Sequence, residues 1–228
     1  MSKIKSVDIA EEYIKNLIIN KNYSEDDFLP SEGQLAKDLE LSRATIREAV
    51  RSLEVRGFLQ RIHGKGLKII DNSVNVMSQS IEDMLIKKND LIEDLFEMRM
   101  LLEPYGAERA AQLRTTTDLK ELNDYLFIME TKDFMDDEYY KSDLAFHIKL
   151  ARISGNQILY SVVNAFSNVL QDLIIIHSQA STPIEQQFHY HSKIYYAIKK
   201  RDSEKAKIAM MEHLRVAQNN KTYKVVNN

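Results

Sequence analysis

Two sets of side chains in this sequence have types and spacings that could do chemistry. The first is Arg43, Arg47 and Arg51, which recur every fourth residue in SRATIREAVRSLEVRG. Residues four apart share a helix face. Apolar Ile46, Ala49, Val50 and Leu53 recur at helical spacing between them, so the arginines fall opposite a buried stripe. A guanidinium fork bonds phosphate oxygens, or the O6 and N7 edge of guanine, in a bidentate way that an ammonium does not. From Ser42 to Lys68 there are seven Lys/Arg against two Asp/Glu, in a chain whose formal net charge is -3. The positive charge is therefore local. The bland alternative is a solvated face laced by Arg47 or Arg51 with Glu48 and Glu54. The residues after the helix favour the polyanion: Gly57 can end it with a left-handed residue, and two strand-like runs, Phe58–Ile62 and Leu67–Ile70, flank His63-Gly64-Lys65-Gly66. A glycine-rich turn fits a hairpin, and its small residues let a basic tip approach a groove.

The second set is Asp143, His147, His191 and His213. Asp143 and His147 are four apart on a stretch whose same face carries Leu150 and Phe146 or Ile153. His191 shares its stripe with Phe188, Ile194 and Ile198, and His213 shares its own with Ala206, Met210, Val216 and Ala217. All four polar groups would point inward, where an unpartnered polar group is costly. Each histidine alone fits a core residue bonded to a carbonyl. Together, from three helices, they fit a divalent cation, since imidazole nitrogens and a hard oxygen suit Zn first and also Ni, Mn or Fe. His177 and His189 do not share the arrangement. Arg99 is a further inward polar group, on the side of Ile92, Leu95, Phe96 and Leu102, with Glu97 and Glu103 bracketing it.

The elements that would position these groups can be read in order. Val7 to Ile19 is an amphipathic first helix, Asn20 to Asp27 a loop, and Leu29-Pro30-Ser31-Glu32 a helix start with Ser31 as cap. Ser42 caps the arginine-bearing helix after a tight turn at Glu40-Leu41. Asp71 to Ser80 is polar and weakly patterned and is expected to hold the linker. Beyond it residues 71–228 carry 19 Lys/Arg and 23 Asp/Glu, which argues against a second nucleic-acid grip. Helices are expected near 73–87, 90–113, 117–133, 136–153, 157–179, 183–200 and 202–220, with no persistent strand alternation. The fold class is mainly α: a winged helix-turn-helix at 1–70, a linker at 71–80, and an antiparallel all-helical bundle of about six or seven helices at 81–228. With 228 residues, two domains are comfortable. The absence of cysteine excludes disulfides and thiolate metal sites. The N-terminal stretch shows no leader-like apolar core, and no segment approaches the roughly 18 apolar residues of a membrane span. A cytoplasmic location is expected.

The segment LPSEGQLAKDLELSRATIREAVRSLEVRGFLQRIHGKG resembles the GntR regulators of bacteria in order and spacing: Leu-Pro-Ser-Glu, Leu-Ala, Ser-Arg-x-x-Ile-Arg-Glu-Ala, Leu-Glu, Gly and Gly-x-Gly. The resemblance implies that Arg43, Thr45 and Arg47 meet DNA from the recognition helix and that His63 and Gly64 meet it from the wing; Ser42 at the helix start and Lys65 in the basic turn are further DNA-binding candidates. Gly33 stands where many members carry a phosphate-gripping arginine, a contact that Arg51, Arg61 or Lys65 could replace. The rear half resembles the FCD ligand-binding domain. Its Asp-x-x-x-His, His-x-x-Ile-x-x-Ala-Ile and C-terminal His are met by Asp143 with His147, by His191 through Ile198, and by His213, with Tyr190 where relatives often have an acid. That resemblance implies a metal on these four residues beside a small organic acid, with Arg99 facing the effector cavity; an ion pair of Arg99 with Glu103 is an equal alternative. It also implies a homodimer on a palindromic operator. The reading is a transcription regulator, not an enzyme. Its rivals are a regulator that senses the metal alone and a metal-dependent hydrolase, for which no general base is in place.

Overall fold

The computed structural model describes residues 6–20, 23, 26–87, 91–132, 136–176, 184–219 and 223–225. By internal contacts the chain divides into residues 1–76 and residues 77–228, and each unit is built around its own core.

In the first unit, α1 (Ser6–Asn20), α2 (Glu32–Asp38) and α3 (Arg43–Val55) precede a hairpin of β2 (Leu59–Ile62) and β3 (Gly66–Ile69). The sequence dictates the helix starts. Ser31 and Ser42 each accept a hydrogen bond from the backbone N–H three residues on, Gln34 at 3.2 Å and Thr45 at 3.1 Å, which satisfies one orphan donor of each helix. Ile46, Ala49, Val50 and Leu53 are fully buried against Ala10, Ile14, Leu35, Leu59 and Leu67. The chain leaves α3 through Gly57, whose φ of 77° lies in the left-handed region. A Cβ there would come within 3.1 Å of the Asn72 backbone and of Val76 Cγ2, so both conformation and space require glycine. One element escaped the sequence reading: Phe28, assigned to no element, and Leu29, read as part of a helix start, form β1, which pairs antiparallel with β3 and gives the order β1-β3-β2. Two residues are too short to show alternation.

The second unit contains α4 (Ser73–Lys87), whose N-terminal turn lies before the division, then α5 (Leu91–Leu113), α6 (Thr116–Thr131), α7 (Asp137–Ile153), α8 (Gln157–Leu173), α9 (Ile184–Lys199) and α10 (Ser203–Asn219). The stretch expected as linker is thus helical from Ser73 onward. The core runs through Ala107, Leu122, Met129, Tyr139, Phe146, Leu150, Ile194, Ile198, Ala206 and Met210. The expected helix over 157–179 stops at Leu173, and residues 177–179, with His177, lie outside those described. Ile174–Ile176 instead forms β4, antiparallel to β5 (Tyr223–Val225). A run of three β-branched residues is stiff at χ1 and favours extended backbone, so the expectation of no strand in this half is corrected.

Two long-range contacts set α9 against α5. Arg114, just past α5, donates to the carbonyls of Ile198 (3.3 Å) and Lys199 (2.6 Å), while Arg201, just past α9, donates to those of Gln112 (2.6 Å) and Arg114 (3.2 Å). Each arginine thereby satisfies the orphan carbonyls at the other helix's C-terminus.

Candidate functional site

The arginine face of α3 is exposed. Arg43, Arg47 and Arg51 project from it, and Lys65 from the wing turn, and among the described residues none of the four has an ion pair. Thr45 is half-buried, its hydroxyl 2.9 Å from that of Ser42. The first turn of α3 holds no acid, so its positive dipole end and Arg43 place positive potential at the same point. The wing tip, His63, Gly64 and Lys65, is exposed, and nothing lies within 4 Å of where a Cβ on Gly64 would be.

Arg61, a named stand-in for the cation missing at Gly33, is already engaged. It bonds Glu32 at 2.7 Å and Glu54 at 3.5 Å. Arg51 and Lys65 keep their charge uncommitted. At Gly33 itself the nearest side-chain atom to a notional Cβ is an Arg43 guanidinium nitrogen, 3.8 Å away. The small residue thus borders one arginine of the exposed face of α3.

In the second unit, α7 supplies Asp143 and His147, α9 supplies His191 and α10 supplies His213, and one ligand atom from each lies within 4.8 Å of the others. The Nε2 atoms of His147 and His213 are 3.1 Å apart, those of His191 and His147 3.4 Å apart, and His191 Nε2 is 2.8 Å from Asp143 Oδ1. The three imidazoles are buried, at 1%, 0% and 8% exposure for His147, His191 and His213. Asp143 keeps 19% of its side chain in solvent. Burial drives the His213 pKa well below the usual imidazole value, with neighbouring His191, His147 and Arg99 acting in the same direction, so His213 is neutral near pH 7 and its lone pair is available. Burial opposes ionisation of Asp143, but His191, His147 and Arg99 outweigh it and hold its carboxyl at about 2.

The donor set fits a divalent cation. Two ligands each about 2.0–2.1 Å from a tetrahedral Zn lie about 3.4 Å apart, and the nitrogen spacings match that separation or the smaller one of an octahedral site. The orienting groups fit as well. Glu103 on α5 lies with Oε2 2.5 Å from His147 Nδ1 and Oε1 2.5 Å from Arg99 Nε. Desolvation raises the Glu103 pKa, yet Arg99 and His147 bring it to about 2. An ionised carboxylate accepts the Nδ1 proton, which leaves the His147 Nε2 lone pair toward the other imidazoles. Arg99, 4% exposed, is therefore paired with Glu103, and its field still reaches Asp143 and His213.

The sequence reading paired Glu103 with Arg99 as an alternative but not with His147, because the second contact crosses from α5 to α7. The i, i+4 spacing of Arg99 and Glu103 on an apolar helix was the available signal. His189 is exposed and is not among the four. Tyr190 lies with its ring 6.4 Å from that of His213.

Comparison with known proteins agrees with both halves. The family described as "Bacterial regulatory proteins, gntR family" matches residues 7–69, and the FCD domain matches residues 94–216. The HTH-type transcriptional regulator LutR of Bacillus subtilis is 30% identical over 203 residues, 87% of this chain and 93% of that protein. The HTH-type transcriptional repressor NanR of Cronobacter sakazakii is 26% identical over 224 residues, 94% of this chain and 84% of that one. A solved structure of Streptococcus agalactiae GntR superposes with a TM-score of 0.77 at 30% identity, covering 93% of this chain and 99% of that one. These relatives are regulators, not enzymes, and no helix among the described residues is long and apolar enough to cross a membrane. The chain belongs to the GntR family of bacterial DNA-binding transcription regulators, with an FCD domain behind its winged helix.

Proposed function

We propose that this regulator binds a palindromic operator as a homodimer in the cytoplasm, and that its operator affinity is set by a small carboxylate bound beside a divalent metal in the FCD domain. The observation that carries the proposal is the convergence of Asp143, His147, His191 and His213 to within 4.8 Å, behind a winged helix whose Arg43, Arg47 and Arg51 have no ion pair among the described residues. Ser42, Arg43, Thr45 and Arg47 serve the recognition helix, and His63, Gly64 and Lys65 the wing. Phosphate contacts from these cations give affinity and register; contacts to base edges give sequence preference. The cation, Zn first by donor type, supplies a Lewis-acidic centre for an anionic oxygen. Glu103 holds the His147 ring and tautomer, Arg99 holds Glu103 and adds positive potential, and burial excludes competing water. The NanR relatives are named repressors, and the same sense is proposed here.

A second reading keeps the regulator and makes the metal the signal by itself. The pairing of Arg99 with Glu103 at 2.5 Å favours it, since a guanidinium already bonded to a carboxylate has less to offer an incoming acid. Fluorescence anisotropy on an operator fragment, with metal-free, metal-loaded and metal-plus-acid samples, separates the readings. A change of operator affinity only on adding a small hydroxy or sugar acid supports the first, a change on metal alone supports the second, and identical curves in all three samples would sink both.

A further inference from the structure

We propose that α5 carries the seam along which two copies of this chain pair, antiparallel, around a two-fold axis near Leu101. Among the described residues, α5 leaves four large apolar side chains exposed: Leu113 at its C-terminal end (46%) and, together on one stripe, Met98 (42%), Leu101 (66%) and Tyr105 (46%). Those of the stripe stand three and four residues apart, opposite the face that holds Arg99 and Glu103 inside the bundle. With about 100° per residue, the same stripe extends to Asp94 at one end and Arg109 at the other, all five within about 60° of a common direction. Asp94 is exposed and Arg109 half-buried. Among the described residues neither has an ion pair; Arg109 donates only to Gln112, at 2.6 Å.

The order acid, apolar, apolar, apolar, base makes this face complementary to its own reverse. In an antiparallel pair centred between Leu101 and Leu102, Asp94 comes opposite Arg109 of the second copy, Met98 opposite Tyr105, and Leu101 opposite Leu101 and Leu102. Both ends then gain an ion pair, and the apolar centre leaves water. A two-fold interface requires this kind of self-complementarity, in which each residue meets the partner of its counterpart. A parallel pairing would set Asp94 against Asp94 and Arg109 against Arg109. The occupant that the charge pattern fits is therefore a second copy of the chain. This rests on the two-fold reading proposed above and supplies the surface that reading lacked.

Sedimentation velocity on the full chain over a concentration series tests it, with Leu101→Glu, Asp94→Arg, Arg109→Asp and the double exchange D94R/R109D. The wild type is expected to dimerise, Leu101→Glu to weaken association at least tenfold, each single reversal to weaken it, and the double exchange to restore it. Leu101 is two-thirds exposed, so its substitution leaves the core intact, and the restoring double variant excludes misfolding as the cause of the losses. A wild-type dimer indifferent to Leu101→Glu overturns the seam and leaves the two-fold reading standing. A wild type that stays monomeric overturns both, and a double exchange that fails to restore pairing overturns the antiparallel register.

Discussion

At the scale of single residues, Glu103 has the largest leverage. It neutralises Arg99, fixes His147, and does both at 4% exposure. Groups that hold a metal-binding imidazole by its second nitrogen typically matter about 10–100-fold in metal affinity. Glu103→Gln keeps the shape and removes the charge, so a fall in Zn affinity of that size is expected, measured by competition with a chromogenic chelator. The substitution also leaves Arg99 buried without the Glu103 charge, a loss of up to roughly 3–5 kcal/mol when a buried pair is broken. Thermal melting of the metal-free variant measures that part separately. Unchanged metal affinity in a folded variant would remove Glu103 from the site.

At the scale of elements, the start of α6 links a cap to the packing of α7. Thr115 accepts from the Asp118 N–H at 3.1 Å, and Asp118 accepts from the Thr115 N–H at 2.8 Å, a reciprocal box. Asp118 also takes Lys149 of α7 at 2.8 Å. Burial works against its charge, but Lys149 and Thr115 prevail and lower its pKa. A carboxylate depressed in the folded state stabilises fully above its unfolded value of about 3.9, and the contribution is lost as pH falls through the lower folded value. Asp118→Asn is expected to cost about 1 kcal/mol near neutrality, the usual scale of a cap, and to flatten the acid limb of stability against pH. Urea unfolding at a series of pH values checks both. A variant whose acid limb is as steep as that of the wild type would show that Asp118 does not titrate as its partners dictate.

At the scale of the whole molecule, the two units have separate cores and the two kinds of chemistry fall in different units. Arg47→Ala should weaken operator binding and shallow its salt dependence by about one unit of slope, as the loss of one phosphate contact does. Arg43→Ala should in addition blur the preference for operator over unrelated DNA. Neither should alter metal content. Anisotropy titrations at several salt concentrations, paired with metal analysis of the same preparations, test the separation. Wild-type affinity in both variants would dismiss the mapping of the recognition helix, and a loss of metal in Arg47→Ala would mean that the units do not fold independently.

Periodicity alone fixed much of this protein. The stripe Ile46, Ala49, Val50 and Leu53 told which side of α3 faces outward, and the serine caps told where helices begin, because both depend on neighbours within a turn. Asp143, His147, His191 and His213 were legible for the same reason: each occupies a buried stripe of its own helix, so inward direction follows from local spacing. Tertiary structure decided whatever depends on residues far apart in the chain. It brought the three Nε2 atoms together, gave Glu103 to His147 as well as to Arg99, tied up Arg61 with Glu32 and Glu54, and crossed Arg114 and Arg201 over the ends of α5 and α9. It also paired Phe28–Leu29 with the wing and turned Ile174–Ile176 into a strand. Segments of two or three residues have too little period to declare themselves, and only a partner supplied from elsewhere in the fold makes them strands.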